Sequence, residues 1–302
     1  MIEAFGERPL DAVLAWLSDS APAIVDLELA SGGYAPTTHC DRALLLRDGS
    51  ARERWRRSIE EQGFRIAALN AWGNPLHPDP QLASRHDTDL RETVLLAAEL
   101  GVDRVLALAG CPGDVRPRFA AGGWLPYLEG EHERQWQEVG APYWTKVADF
   151  AHRQHPEVLI CIELHPGTLV YNLETFSQLA AVGDKLAANV DPSHCFWMQM
   201  DPLAVVAELP RVGYAHLKDV VFDDRNLALN GVLDHRWPEA ASWRFAAVGR
   251  GHEAPWWRAF LDALAARGVE TAAIEHEDSL VPAEEGIVEA ANVFAGAVEN
   301  AA

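Results

Sequence analysis

The sequence predicts a (β/α)8 TIM barrel, and three observations carry that expectation. Short apolar runs rich in Val, Ile, Leu and Ala recur eight times along 302 residues. Longer stretches with helical spacing separate them, several ending at Gly just before the next run. No glycine-rich GxGxxG follows the first run, which lowers the alternative of a doubly wound open sheet.

In chain order the strand-like runs are MIEAF (1–5), AIVDLEL (23–29), RIAALNAW (65–72), RVLALAG (104–110), VLICIEL (158–164), LAANVD (186–191), GYAHLKD (213–219) and TAAIEHE (271–277). Continuous apolarity fits strands buried on both faces, and their length suits strands better than helices. The helix-like stretches are PLDAVLAWLSD, SARERWRRSIEEQG, TDLRETVLLAAELG, YWTKVADFAHRQH, LETFSQLAAVG, DPLAVVAELP, PWWRAFLDALAARG and AEEGIVEAANVFAGAVEN. With 49% hydrophobic residues the whole chain, 1–302, reads as one barrel domain. Two connections are too long for simple turns: 111–142 after the fourth run and 220–255 after the seventh. Both leave the C-terminal ends of strands, where barrel loops cover a substrate pocket. Trp124, Trp136, Trp237, Trp243 and Trp256 lie in or beside them, either to stack on a sugar ring or to pack the lid.

Composition excludes several partners. There are 25 Lys and Arg against 45 Asp and Glu, a formal net charge of −20 that repels phosphate backbones and anionic membranes. No nucleic acid is expected. Cys40, Cys111, Cys161 and Cys195 show no CxxC spacing, and no leader pattern precedes them, so the expected location is the reducing cytoplasm. No apolar segment approaches the roughly 20 residues a membrane helix needs.

The last four runs break the apolar rule at their ends, with Glu163, Asp191, His216 and Glu275. An unpaired charge there costs several kcal/mol, so each needs a partner. Four separate ion pairs would satisfy that need. In a closed barrel, however, the four strand ends share one mouth, and three carboxylates with an imidazole suit one divalent ion. Residues two apart on a strand face the same way, which adds His165, Lys218 and Glu277 and sends His276 outward to the helices. Pro192 turns the chain after Asp191 and brings His194 toward the mouth.

The motifs CIELHPG, NVDPSH, AHLKD, GRGHE and AIEHED resemble those of the xylose isomerase-like sugar phosphate isomerase/epimerase superfamily over nearly the whole chain. GNPLHPD (73–79) and GCPGD (110–114) resemble one bacterial branch, related to the large subunits of C-glycoside deglycosidases. The resemblance implies that Glu163, Asp191, His216 and Glu275 hold one metal ion, Mn2+ first, with Mg2+, Co2+ and Zn2+ as the other candidates. It implies that Glu163 and Glu275 are the acid–base pair. Substrate contacts are expected from His194, His165, Lys218, Asn74, His77 and Arg250. The chemistry would be isomerisation or epimerisation of a small sugar through an enediolate. Ketose 3-epimerases of the superfamily carry a Glu six residues after the first ligand and an Arg six after the histidine ligand. Leu169 and Phe222 stand there instead, which speaks against a free ketohexose.

Other readings predict different partners. A 3-keto-glycoside lyase would use the same enediolate to expel an aglycone, together with a small partner subunit; an isomerase could be a homo-oligomer. An abasic-site endonuclease shares the barrel but wants more histidines and a basic groove. A non-catalytic sugar-binding barrel would tolerate loss of at least one of the four ligands.

Overall fold

The computed structural model describes residues 1–113, 130–234, 236, 238 and 240–299. Seven parallel strands form one sheet: β1 (Asp26–Gly33), β2 (Arg65–Trp72), β3 (Arg104–Leu108), β4 (Leu159–Glu163), β5 (Leu186–Val190), β6 (Val212–Leu217) and, later in the chain, β9 (Ala273–Ile274). Between β6 and β9 the chain makes a separate antiparallel pair, β7 (Asp219–Phe222) with β8 (Trp243–Ala246). The helices α1 (Leu10–Ser20), α2 (Arg42–Arg47), α3 (Gly49–Glu60), α4 (Pro80–Leu100), α5 (Glu131–Gln135) and α6 (Ala141–Gln154) cover the first half. In the second half come α7 (Leu173–Ala180), α8 (Pro192–Trp197), α9 (Pro202–Glu208), α10 (Asp224–Asn230), α11 (Ala254–Ala266) and α12 (Ala283–Glu299). None is long and apolar enough to cross a membrane among the described residues.

The expected barrel is therefore present, with seven laddered strands rather than eight. The difference lies at the seam. Residues 1–5 make no strand; Glu3–Phe5 wind into a single 3-10 turn. The Met1 amino group nevertheless donates to the Ile274 carbonyl at 2.7 Å, and Ile2 and Phe5 are buried beside β1 and β9. The run 271–277 ladders only at Ala273 and Ile274, which pair with His216 and Leu217. Glu275 N still donates to the Leu217 carbonyl at 3.1 Å, and the side chains of Glu275, Glu277 and Asp278 go to Lys218 and Arg244.

Side-chain alternation stacks the barrel interior in layers. The floor is mostly small and apolar, with one large ring: Ala68, Leu106, Cys161, Ala187, Tyr214 and Ala273. Gly213 is required there, since a Cβ would lie 2.6 Å from Cys161 Sγ. Two residues further along the strands the layer turns polar, with Asn70, Glu163, Asn189, His216 and Glu275 buried, joined by Glu28 of β1. Another two residues on come Trp72, His165, Asp191, Lys218 and Glu277.

Two expected connections hold more structure than sequence suggested. The excursion 220–255 contains β7, α10 and β8. In 111–142, α5 and a π-helical turn (Trp136–Gly140) run directly into α6. Helix α4 starts eight residues before the expected TDLRET, because Asp79 caps it and Pro80 suits its first turn. Trp124 and Trp237 lie outside the described residues.

Candidate active site

The site is the polar layer and the layer above it. Glu163 closes β4, and its Oε1 accepts from His194 Nε2 at 3.1 Å. Its Oε2 lies 3.6 Å from His216 Nδ1, and Glu275 Oε2 lies 3.4 Å from the same nitrogen. Two glutamates from different strands thus converge on one imidazole edge. Each of these side chains is almost fully buried.

Asp191 serves the fold and the site with different oxygens. Its Oδ1 accepts from Ser193 N at 2.8 Å and caps α8. Its Oδ2 lies 3.0 Å from Lys218 Nζ and 3.5 Å from His194 Nε2. The Lys218 ammonium also donates to Glu275 at 2.9 Å and Glu277 at 2.7 Å, and sits 4.4 Å from the Phe245 ring centre. His165 donates from Nδ1 to the Pro166 carbonyl at 2.7 Å and packs edge-on against His194. His194 Nδ1 has no hydrogen-bond partner among the described residues.

Burial and partner charge set the protonation preferences. Burial raises the Glu163 carboxyl, but the hydrogen bond from His194 and the nearby charge of His216 outweigh it and hold the group well below the usual carboxylate range. Glu275 is pushed up to about 8 by burial, opposed by Lys218 and His216 and reinforced by Glu163 and Glu277. Burial lowers His216, yet Glu28, Glu275 and Glu163 carry it well above an ordinary histidine. Lys218 rises in the same way, burial being overcome by Asp191, Glu275 and Glu277. Burial lowers His165, Glu163 opposing and His194 and Lys218 adding to the fall.

The donor set fits a divalent ion. Glu163, His216 and Glu275 each offer a ligand atom within 4.8 Å of the others, as do Glu163, His165 and His194. The cluster buries four carboxylates, Glu28, Glu163, Asp191 and Glu275, and Lys218 is the single buried lysine among the described residues. The remaining negative charge is balanced by protons on histidine or on Glu275, or by a bound cation.

Three expected substrate contacts do not join this cluster. Asn74 gives its amide to the Cys111 carbonyl at 2.8 Å, and its Oδ1 accepts from Cys111 N and Leu76 N. His77 Nδ1 accepts from Asp79 N at 2.9 Å, closing the turn before α4. Arg250 pairs with Glu285 and Glu289 on α12. The reason lies in GRGHE: Gly249 N, Gly251 N and His252 N all donate to Asp219 Oδ2, which turns the Arg250 side chain outward. Gly251 is obligatory in that wrap, because a Cβ would collide with the Val220 carbonyl. His276 faces the helices as expected, bonded to the Val281 carbonyl at 3.0 Å.

The mouth wall is aromatic. Trp197 and Trp243 stack at 4.6 Å and 7°, Trp243 meets Phe245 edge-on, and Phe245 meets His194. Trp136 is buried, and Trp256 stacks on Phe260 of its own helix. Sequence reading missed Glu28, Asn70, Asn189 and Trp72. The usable signal was present: Glu28, Asn70 and Asn189 are polar residues inside otherwise apolar runs.

Comparison with known proteins places this geometry. The chain is 32% identical over 297 residues, 94% of each chain, to an uncharacterised protein, YfiH, of Bacillus subtilis (strain 168). A crystal structure of L-ribulose 3-epimerase shares the fold at TM-score 0.60 and 17% identity, covering 97% of this chain and 89% of that one. The IOLI protein, solved with a binding zinc atom, does so at TM-score 0.61 and 18% identity, over 96% and 92% of the two chains. Residues 33–296 match the profile of one family. With seven parallel strands opening on a buried carboxylate and histidine cluster, the chain belongs to the xylose isomerase-like TIM barrel family.

Proposed function

We propose that this chain is a divalent-metal-dependent sugar isomerase or epimerase, with Glu163 and Glu275 as its acid–base pair. The observation that carries the reading is the convergence of both glutamates on His216 Nδ1, at 3.6 and 3.4 Å. Glu163, Asp191, His216 and Glu275 would hold the ion, with Mn2+ the first candidate and Zn2+, Mg2+ or Co2+ the others. When bound, it would polarise a sugar carbonyl and the neighbouring hydroxyl, acidifying the C–H bond between them. One glutamate takes that proton and the other returns one. Return to the opposite face of the same carbon gives an epimer, and return to the adjacent carbon gives aldose–ketose exchange. His194 donates to Glu163 and is placed to touch a sugar hydroxyl; Lys218 and His165 flank the pair.

The test is metal removal. Activity found in a panel of ketoses, aldoses and 3-keto sugars should vanish on chelation and return with Mn2+, Co2+ or Zn2+. Turnover that survives complete stripping overturns the reading.

A second reading draws on the aromatic wall from His194 through Phe245 and Trp243 to Trp197. A 3-keto-glycoside with an aromatic aglycone would stack there, and the same proton abstraction would expel the aglycone. Its signature is free aglycone and an unsaturated keto sugar released from such a glycoside, against a product of unchanged mass for the isomerase.

A further inference from the structure

We infer that Glu28 is the positioning residue that decides which nitrogen of His216 faces the site; this rests on the metal-dependent reading above. Glu28 comes from β1, 188 residues before His216, and its side chain is fully buried. Its Oε2 lies 3.1 Å from His216 Nε2. An ionised carboxylate only accepts, so in the neutral ring the proton belongs on Nε2. Nδ1 is then left as a lone pair, and Nδ1 is the atom that Glu163 Oε2 and Glu275 Oε2 approach.

The other neighbours of the ring do not make that choice. Asn189 Nδ2 lies 3.0 Å from Nδ1 and 3.3 Å from Nε2, so it serves either nitrogen. Trp72 packs edge-on at 5.2 Å and restricts the ring plane without reading its protons. Glu28 is itself fixed, because Asn70 Nδ2 donates to its Oε1 at 2.8 Å. The chain Asn70, Glu28, His216 therefore runs across the barrel from β2 through β1 to β6. A carboxylate behind a ligand histidine orients the ring and raises its basicity, and loss of such a partner costs about 10–100-fold in metal affinity.

Glu28→Gln is the informative variant, since its amide can donate as well as accept and no longer dictates the tautomer. Calorimetric titration of Mn2+ and Co2+ into stripped wild type and variant should show affinity lower by about 10–100-fold in the variant. If Glu28→Gln does not fold, Asn70→Ala frees Glu28 from its anchor and should weaken both ions in the same direction, by less. Melting temperature measured on the metal-free proteins separates the alternative. A purely structural Glu28 would lower melting temperature while leaving ion affinity unchanged, and that result overturns the inference. A wild type that takes up none of Mn2+, Co2+, Zn2+ and Mg2+ removes the metal-dependent reading itself; unaltered variants of an ion-binding wild type remove only the role of Glu28.

Discussion

Two walls of the same mouth carry the same residue and treat it in opposite ways. On the β4 wall Glu163 accepts a hydrogen bond from His194, has His216 3.6 Å away, and is held ionised. On the β9 wall Glu275 has Lys218 as its close hydrogen-bond donor, shared with Asp191 and Glu277, and is pushed up to about 8. Burial is nearly equal on both sides. The difference lies in how many carboxylates compete for each cation: where one lysine serves three acids, a proton is the cheapest counter-charge. The contrast belongs to the metal-free protein, since a bound divalent ion would hold both carboxylates ionised.

The largest expected effect concerns turnover. Glu163→Gln and Glu275→Gln should each lower kcat by about 10²–10⁴-fold, because either variant removes one of the two proton carriers. A variant with near-normal turnover on the same sugar would break the pairing. Next comes Lys218→Met. It leaves Asp191, Glu275 and Glu277 without their cation and should destabilise the metal-free protein by about 3–5 kcal/mol, read from denaturant unfolding. Added divalent ion should recover part of that loss if the walls share one counter-charge; no recovery would argue for independent ion pairs.

A further effect follows from pH. Glu275 has a folded value of about 8, above the ordinary carboxylate value of 4.5, so it binds its proton more tightly when folded. Its contribution to stability is complete below pH 4.5 and is lost as pH rises toward 8. Glutamine cannot ionise. Metal-free Glu275→Gln should therefore gain melting temperature relative to wild type between pH 5 and pH 8.5, at about 2–4 °C per kcal/mol. A constant gap between the two proteins would mean that Glu275 does not carry the buried proton.

Much of this arrangement was legible in the sequence. A charged residue at the end of an apolar run is conspicuous, and Glu163, Asp191, His216 and Glu275 all stood out on that ground. Alternation then placed His165, Lys218 and Glu277 on the same side. Glu28 was hidden because it lies within β1, beside the equally acidic Asp26, which pairs with Arg65 at the barrel's other end. Period two alone does not say which of those two acids meets the site. Asn74, His77 and Arg250 bond to partners outside the cluster for a different reason. Motif similarity names a loop, whereas backbone geometry decides where its side chains go, and the Asp219 wrap that turns Arg250 outward joins residues some 30 positions apart. The strand that did not form is residues 1–5, and bonding at the seam reduces to Ala273, Ile274, the Glu275 amide and the Met1 amino group.

The divided duty of Asp191 has an evolutionary consequence. One oxygen starts helix α8 and the other faces the mouth. A lineage drifting away from catalysis cannot discard this residue freely, because most replacements would also unwind the turn that carries His194. Asparagine, a strong capping residue reached from aspartate by one nucleotide change, is the easiest exit. A silent descendant of this barrel would accordingly be recognised first by Asn in the place of Asp191, with its helix intact and its charge gone.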